Sequence, residues 1–490
     1  MNTGCPRLFI VALAFYFYCA NTGWAGNFPV IGTDPIEKLS IVENHSEILE
    51  AWARRGLHEA VLMNFDAHDD MRWIRPEKIK KLWKYYEAED WTAIKRADSV
   101  GDDSLYDIGS FIYAAAQLDM VKKVCWVIPF DILSRPDKIH ALKAFLRAYE
   151  FPERDIQTFR MKQGRFSGIL HGIPLMICDM GSLPDIEEPL VLSLDLDFLP
   201  PFARVHGLDK LSALMIFFEA LHRKKYGIQE ALMAFSVNGG YLSVHNRWIG
   251  EISVAILKNP HVNDLPLPRL WRIWQRLDDV YEANDPDRIL KIALPFIDVG
   301  GKDPNILLYT AFAYYAKGDF TKAFKYAEEA CRIDSRYCYG LADIGQCLID
   351  TQRLPKALKF FEAAYALKFD MNFRQKNLAD ALKEMGQYPE ALTYYKIYQS
   401  RNGSFPVQFQ IADTYRLMGD EESALKHFIG ALKCLQKNPY ASITHQIDAE
   451  AVFAAIAFFE GKGLKTKAAE LREHPGFKEV MEDGESGAAQ

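Results

Sequence analysis

Short apolar runs alternate with amphipathic segments between about residues 38 and 258. The runs are apolar on both faces, which is typical of strands inside a parallel sheet, and the segments between them have helical periodicity. Strands joined by helices in this way predict an α/β fold, with helices covering both faces of the sheet. The expected strands are 39–42, 60–65, 124–129, 174–178, 190–194 and 231–237.

From about residue 304 the strand-like runs stop and a helical repeat begins. Four alanines recur at separations of 34, 34 and 33 residues, each with a small residue twelve positions before it. The alanines are Ala323, Ala357, Ala391 and Ala424, and the small residues are Ala311, Gly345, Ala379 and Ala412. Small residues let paired helices approach closely, and the pattern resembles the tetratricopeptide repeat. Such repeats form an all-α solenoid whose concave groove can bind a protein partner.

The N-terminus has the layout of a secretory signal peptide. One early cation, Arg7, precedes an apolar run that ends at Tyr18, and small residues at Gly23 and Ala25 follow. The run is too short for a comfortable membrane span, and no later run is long enough for one. We therefore expect an exported protein without a stable membrane span after cleavage, periplasmic if the source is bacterial and otherwise secreted. An uncleaved N-terminal anchor is the alternative.

These patterns divide the chain into six expected segments. They are a signal peptide at 1–25, an α/β domain at 26–262, a helical linker or degenerate repeat at 263–303, four tetratricopeptide repeats at 304–438, capping helices at 439–478 and a disordered tail at 479–490.

Charge and cysteine usage narrow the function classes. The formal net charge of −7 argues against nucleic acid as a partner, because phosphate binding usually needs a basic face. Cys125 and Cys178 lie inside predicted strands, where a buried thiol is expected. The remaining cysteines of the mature chain permit disulfides in an exported protein, but their spacing assigns no pairing.

Three polar clusters follow predicted strands: 43–46, 66–70 and 195–197. The carboxyl ends of parallel strands share one edge of the sheet, so these clusters are expected to meet in one crevice. Carboxylates with a minority of histidines and no cysteine suit harder divalent metals such as Mn²⁺. Two ions would neutralise the crowded carboxylates, with some of these bridging both ions. Taken alone, a cluster of this kind is more often a solvated turn or a helix N-cap than a metal site.

The polar clusters carry a family resemblance. The run 66–70 reads Asp-Ala-His-Asp-Asp and matches the Asp-Ala-His-x-Asp motif of the arginase and agmatinase superfamily. The run 193–197 matches that superfamily's Ser-x-Asp-x-Asp motif, and His45-Ser46 resembles its upstream histidine ligand. The resemblance covers roughly residues 38–250. It is closest to an arginase-like family that includes peptide arginases, which convert arginine side chains within peptides to ornithine.

The resemblance implies an arginase-like three-layer fold and a ligand set for two Mn²⁺ ions, although other divalent metals fit the same ligands. It assigns one metal to His45, Asp66, Asp70 and Asp195, and the second to Asp66, His68, Asp195 and Asp197. Asp66 and Asp195 would bridge. Asp70 would also pass a proton to the leaving amine.

Other family features have weaker counterparts. The proton-shuttling histidine that normally follows the first motif is matched only by His171, far downstream in a predicted hairpin, and that match can be accidental. No carboxylate stands where the family grips the guanidinium, and the strand expected there is followed by Asn238, Tyr241 and His245. Asp107 is another candidate for that task, or simply a charge at the start of a helix.

The resemblance therefore implies a dinuclear-metal hydrolase that cleaves the guanidino group of a peptide or protein arginine, releasing urea. The repeats would bind the substrate or a protein partner in their groove. The alternatives are a metal-dependent deacylase of the same fold, and a repeat scaffold whose α/β domain is catalytically idle.

Overall fold

The computed structural model describes residues 28–98, 104–149, 151–237, 241–261, 266–367, 373–402, 407–437 and 449–474. The predicted signal peptide and tail lie outside the described residues, as do 439–448 and 475–478 of the predicted capping segment.

An eight-stranded sheet forms the first part of the chain. Its strands are β1 (Leu39–Val42), β2 (Ala60–Phe65), β3 (Val121–Val127), β4 (Arg160–Lys162), β5 (Arg165–Leu170), β6 (Ile173–Cys178), β7 (Leu190–Asp195) and β8 (Ile228–Ala234). Their order across the sheet is β1-β8-β7-β2-β3-β6-β5-β4. The first six strands in this order are parallel, and β5 and β4 are antiparallel additions at one edge. All six expected strands are present, which confirms an α/β fold with a mostly parallel sheet.

Helices cover both faces of this sheet. They are α1 (Ile48–Arg54), α2 (Pro76–Glu87), α3 (Trp91–Ala97), α4 (Phe111–Gln117), α5 (Lys138–Ala148), α6 (Glu153–Ile156), α7 (Leu199–Val205), α8 (Lys210–Lys224) and α9 (Arg247–Lys258). The central strand β2 shows why helices are needed on both faces of the sheet. Val61 and Met63 belong to one hydrophobic core, and Ala60 and Leu62 belong to the other. Alternate side chains of a strand point to opposite faces, so a strand that is apolar throughout needs a core on each side.

The second part of the chain is built from helices. They are α10 (Arg269–Glu282), α11 (Pro286–Asp298), α12 (Pro304–Ala316), α13 (Phe320–Ile333), α14 (Tyr339–Asp350), α15 (Leu354–Ala366), α16 (Phe373–Glu384), α17 (Tyr388–Asn402), α18 (Gln408–Leu417), α19 (Glu421–Lys437), α20 (Ala449–Gly461) and α21 (Lys465–Arg472). From α12 to α19 the helices pack in consecutive pairs. None of the helices within the described ranges is both long and apolar enough to cross a membrane.

The recurring small residues lie where paired helices meet. All four recurring alanines are buried. Gly345 on α14 shows why the position is small, because a Cβ atom there would come within 2.9 Å of the Phe361 ring on α15. The 34-residue spacing therefore marks close helix contacts.

One hydrophobic core joins the two parts. It runs from the sheet through Trp248 of α9 and Trp271 of α10 to Tyr309 of α12 and onward as far as Ile411. Because the core is continuous, the helical part is packed on the α/β part.

The cysteines are divided between one disulfide and free thiols. A disulfide joins Cys331 to Cys338 between α13 and α14, a pairing that the sequence left open. Cys125 and Cys178 are buried free thiols, as expected.

Candidate metal centre

The three polar clusters meet at the carboxyl edge of the sheet. In the strand register Phe65 pairs with Leu194, while Val42 and Asp195 both pair with Ala234. These residues end their strands at the same level, so whatever follows them shares one edge. The adjacent strands β2 and β7 are where the chain switches direction across the sheet, the usual place for a ligand site.

His45 lies at the centre of the first group of side chains. Its Nδ1 atom is 3.0 Å from Oδ2 of Asp70 and 3.2 Å from Oδ2 of Asp66, and its Nε2 atom is 3.2 Å from Oδ2 of Asp195. His45 and Asp66 are fully buried, and Asp70 and Asp195 nearly so. The four residues that the resemblance assigns to one metal are therefore brought together.

His68 lies in a second group, beside the first. Its Nδ1 atom is 2.9 Å from Oδ2 of Asp197 and 3.6 Å from Oδ1 of Asp66. Asp66 belongs to both groups, with one oxygen towards each histidine. The two groups share a carboxylate and so form one continuous site.

Hydrogen bonds from the chain itself orient two of the carboxylates. Asp66 accepts from the backbone N–H of His68 at 2.7 Å and from the Asn64 amide at 3.2 Å. Asp195 accepts from the hydroxyl of Ser236 at 2.6 Å and from the backbone N–H of Asp197 at 3.0 Å. Fixed in this way, the carboxylates keep their positions against mutual repulsion.

Side chains from β3 and from the end of α5 hold the turn after β2. The Trp126 indole N–H donates to the carbonyl of Asp66 at 3.0 Å, and the Tyr149 hydroxyl donates to the carbonyl of Ala67 at 2.9 Å. Asp70 has a φ of +51°, a left-handed conformation that aspartate tolerates better than most residues. Asp69 accepts a hydrogen bond from the backbone N–H of Met71, which makes it a turn residue.

Both histidines favour their charged form. Burial lowers the pKa of His45, but the surrounding carboxylates, Asp195 foremost, outweigh it and raise this pKa well above its ordinary value. The hydrogen bond to Asp197 raises the pKa of His68 to about 11. Both shifts arise from the carboxylates that surround the two imidazole rings.

Four carboxylates surround the two histidines. Burial raises the pKa values of Asp70 and Asp195 well above the usual range and also raises that of Asp197, with repulsion from neighbouring carboxylates adding to it. Asp66 differs because hydrogen bonds from the two histidines outweigh its burial and lower its pKa. Three of the four buried acids are thus held away from their charged form for lack of nearby positive charge.

This donor set fits two divalent cations. The described part of the chain places no lysine or arginine in an ion pair with the four carboxylates. His45 Nε2 is fully buried and makes no hydrogen bond to any described residue, although Asp195 is near. Each of the two groups contains three ligand atoms within 4.8 Å of one another, a spacing from which one ion can be held.

His171 lies elsewhere. It occupies the turn between β5 and β6, with a φ of +50°. Because β6 runs parallel to β2, the turn before β6 lies at the amino edge of the sheet, opposite the polar clusters. Its backbone N–H donates to Asp155 at 2.9 Å, and its ring contacts Tyr113. The structure brings together the six residues predicted as metal ligands and leaves His171 apart from them.

The other residues considered for substrate binding are scattered. Tyr241 lies edge-on to the His68 ring, with 5.1 Å between centroids, and is half-exposed. Asp107 lies 3.5 Å from the guanidinium of Arg72, just beyond the Asp70 turn. His245 lies in a separate polar network with Asp278 and Glu282. Asn238 lies outside the described residues.

Two orienting residues escaped sequence reasoning. Ser236 stands two residues after β8, in a left-handed conformation with a φ of +52° that ends the strand before the predicted residue 237. Asn64 is a polar residue inside an otherwise apolar strand, and that break in the pattern was the signal that could have marked it. Glu43 pairs with Arg247, a contact between residues far apart in the chain.

Comparisons with known proteins leave the chain without an assigned family. No protein-family model matches it, and no curated protein matches it. Solved structures that match include two crystal forms described as MamA AMB-1, each 22% identical to this chain. They cover 32% of this chain and 87% and 94% of their own, with TM-scores of 0.25 and 0.24. A likeness at this level carries no conclusion about fold or function.

Proposed function

We propose that this chain is an exported dinuclear-metal hydrolase of the arginase-like type, which cleaves the guanidino group of a peptide or protein arginine to give ornithine and urea. The observation that carries the proposal is the position of Asp66, whose two carboxylate oxygens face two different histidines within two ligand groups. A shared carboxylate between two such groups is the arrangement that a pair of divalent ions needs. Manganese is the proposed metal because the ligands are oxygen-rich and lack sulfur.

Two bound Mn²⁺ ions would supply Lewis-acid activation of water at neutral pH. The chain's own residues would do the rest. Asp66 and Asp195 would help to hold the ions, with Asn64 and Ser236 keeping these carboxylates in orientation. Asp70 would carry a proton to the leaving amine, and its position at the His45 side of the site would suit that role.

The mouth of the site favours a substrate that is part of a larger chain. His45 is fully buried, whereas His68 and Tyr241 are partly exposed, so the site opens on the His68 side. Tyr241, an exposed aromatic side chain that contacts the His68 ring, can pack against the residues that flank an arginine in a peptide.

The helical part would be a tetratricopeptide solenoid that recruits the peptide or protein substrate, or a protein partner. Its support is the 34-residue spacing of buried small residues between paired helices. Export to the periplasm or the cell exterior is proposed from the N-terminal sequence. The disulfide between Cys331 and Cys338 fits such an oxidising compartment.

The test is a urea assay on the mature full-length chain. After metal removal and reloading with Mn²⁺, the protein should release urea from arginine-containing peptides, and His68→Asn and Asp197→Asn should abolish that release. His140→Asn, which replaces an exposed histidine of α5, is the matched control and should behave as wild type. Two bound metal ions with no urea from free arginine, peptides or other guanidino compounds would overturn the proposed reaction. Release of acetate from acetylated amines would then favour the deacylase.

A further inference from the structure

The segment between β8 and α9 contacts the candidate metal centre at one end and the helical part at the other. At its first end Ser236 donates to Asp195, and its own backbone N–H donates to the carbonyl of Glu43 at 2.8 Å. Tyr241, further along, packs on His68. At its far end the segment reaches His245, which contacts Glu282 of α10 and Tyr309 of α12.

A polar network fixes that far end. The Tyr309 hydroxyl lies 3.0 Å from the carbonyl of His245 and 2.9 Å from Oδ1 of Asp278, so its single proton is shared between them. Lys210 contacts Asp278 at 2.9 Å and the side chain of Asn246 at 2.7 Å. His245, Asp278 and Glu282 have metal-ligand spacing, but Lys210 already forms an ion pair with both carboxylates, so this cluster is a structural ion-pair network.

A second connection runs through Arg247. This side chain is fully buried and forms a two-pronged ion pair with Glu43, at 2.5 and 3.2 Å. Its guanidinium lies over the ring of Phe235, 4.1 Å from the centroid, and faces the ring of Tyr337 at 6.0 Å. Glu43 precedes the metal-site residue His45 by two positions, so Arg247 couples the approach to His45 with the helical part.

Tyr337 holds the outer side of that connection. Its hydroxyl donates to Glu251 of α9 at 2.5 Å, and Asn305 of α12 donates to the same carboxylate at 3.0 Å. Tyr337 is itself fully buried, in the short turn between α13 and α14 that the disulfide closes. The helical part therefore holds the end of the β8–α9 segment through Tyr309 and the following helix α9 through Tyr337.

We infer that the helical part is a structural component of the metal centre, with Tyr309 and Tyr337 as positioning residues. Tyr309 holds the end of the β8–α9 segment and Tyr337 holds helix α9, which follows it, and through Ser236 both support the Asp195 carboxylate. The inference rests on the proposed metal centre. Its physical basis is that the left-handed backbone of Ser236 is strained and persists only while its surroundings hold it. Removing a hydroxyl that anchors the far end of the segment releases this hold without touching any metal ligand.

The test uses three full-length variants: Tyr309→Phe, Tyr337→Phe and Tyr395→Phe. The first two remove one hydroxyl each and keep the buried ring. The third is the matched control, because Tyr395 is also fully buried and donates to a carboxylate, Asp380, but lies in the third helix pair, away from the segment. Hydrogen exchange of residues 235–246 and Mn²⁺ affinity are measured for each variant.

Tyr309→Phe and Tyr337→Phe should accelerate exchange in 235–246 and weaken Mn²⁺ binding roughly 3- to 10-fold, less than the loss typical of a direct partner of a metal ligand. Tyr395→Phe should change neither. Unchanged exchange in the segment, or faster exchange with unchanged Mn²⁺ affinity, overturns the inference. Absence of Mn²⁺ binding by the wild type would overturn the proposed function by itself, and unchanged exchange would still refute the anchoring role of the tyrosines.

Discussion

The hydroxyl of Ser236 lies 2.6 Å from Oδ2 of Asp195, so a residue that follows β8 orients a carboxylate that ends the neighbouring strand β7. Asp195 also accepts from the backbone N–H of Asp197, and between them the two donors fix both of its oxygens. This contact crosses strands and uses a fully buried serine. It is therefore one point at which the candidate metal site would depend on a residue that is not itself a candidate ligand.

Ser236→Ala should weaken Mn²⁺ binding. Without the hydroxyl, Asp195 keeps only one donor and can rotate away from His45, and loss of such a partner typically lowers metal affinity about 10-fold or more. Isothermal titration of the metal-free protein measures the change. Ser253→Ala is the control, because Ser253 is also buried but donates within its own helix to the carbonyl of Ile249. Equal affinities for both variants would refute the orienting role of Ser236.

Asp66→Asn should remove both metals, whereas His68→Asn should remove one. Asp66 faces both histidines, while His68 belongs only to the group that contains Asp197. Elemental analysis after dialysis should give a metal content near zero for the first variant and near half the wild-type content for the second. Asp69→Asn is the matched control, because Asp69 neighbours the ligands but caps the backbone of Met71, a task that asparagine can perform.

The sequence was sufficient to locate the candidate ligands for a physical reason. Each lies at or shortly after the end of a largely apolar strand, so a local pattern locates it, and parallel pairing brings the strand ends to one edge. His171 followed a similar local pattern but lies at the opposite edge. The direction of the short antiparallel hairpin β5–β6 decides that placement, and a motif does not encode strand direction.

The supporting contacts could not be predicted in the same way. Arg247 begins an amphipathic helix, where an arginine is normally solvated, yet it is fully buried against Glu43. Its two aromatic neighbours, Phe235 and Tyr337, come from different parts of the chain. Tertiary packing between the α/β part and the helical part specifies such a site, and no local sequence periodicity predicts it.

Glu43→Gln should destabilise the fold substantially. It leaves the buried guanidinium of Arg247 without its charged partner, and breaking a buried ion pair in this way costs about 3 kcal/mol. Urea denaturation followed by circular dichroism measures the free energy of unfolding. Glu188→Gln is the control, because Glu188 pairs with Lys122 at the exposed surface and such pairs contribute only about 0–1 kcal/mol. A loss no larger than that of the control would show that Arg247 finds other compensation.

Asp98→Asn should make the protein more stable at pH 8 but not at pH 4. Burial raises the pKa of Asp98 to about 7, despite a hydrogen bond from Ser46. The folded state therefore prefers the neutral carboxyl, which contributes stability below its ordinary pKa of 3.8 that is lost as the pH rises through 7. Asparagine stays neutral throughout, so the gain at pH 8 should exceed about 1 kcal/mol. Parallel stability profiles of wild type and variant across this range would contradict the raised pKa.

Reduction of the Cys331–Cys338 disulfide should weaken the contact between the helical part and helix α9, beside the candidate metal centre. The bond closes the short turn that carries Tyr337, so its loss frees the chain on both sides of the hydroxyl that holds Glu251. A loop of this length contributes about 2 kcal/mol to stability through the entropy of the unfolded chain. Replacing both cysteines by serine should therefore lower the thermal midpoint and accelerate hydrogen exchange in 247–251, and reducing agent should have the same effects on the wild type.

Cys347→Ser, which replaces an exposed free thiol, is the control and should still respond to reducing agent as the wild type does. If the double variant lost thermal stability without faster exchange around Glu251, the disulfide would stabilise only the helix pair that it joins.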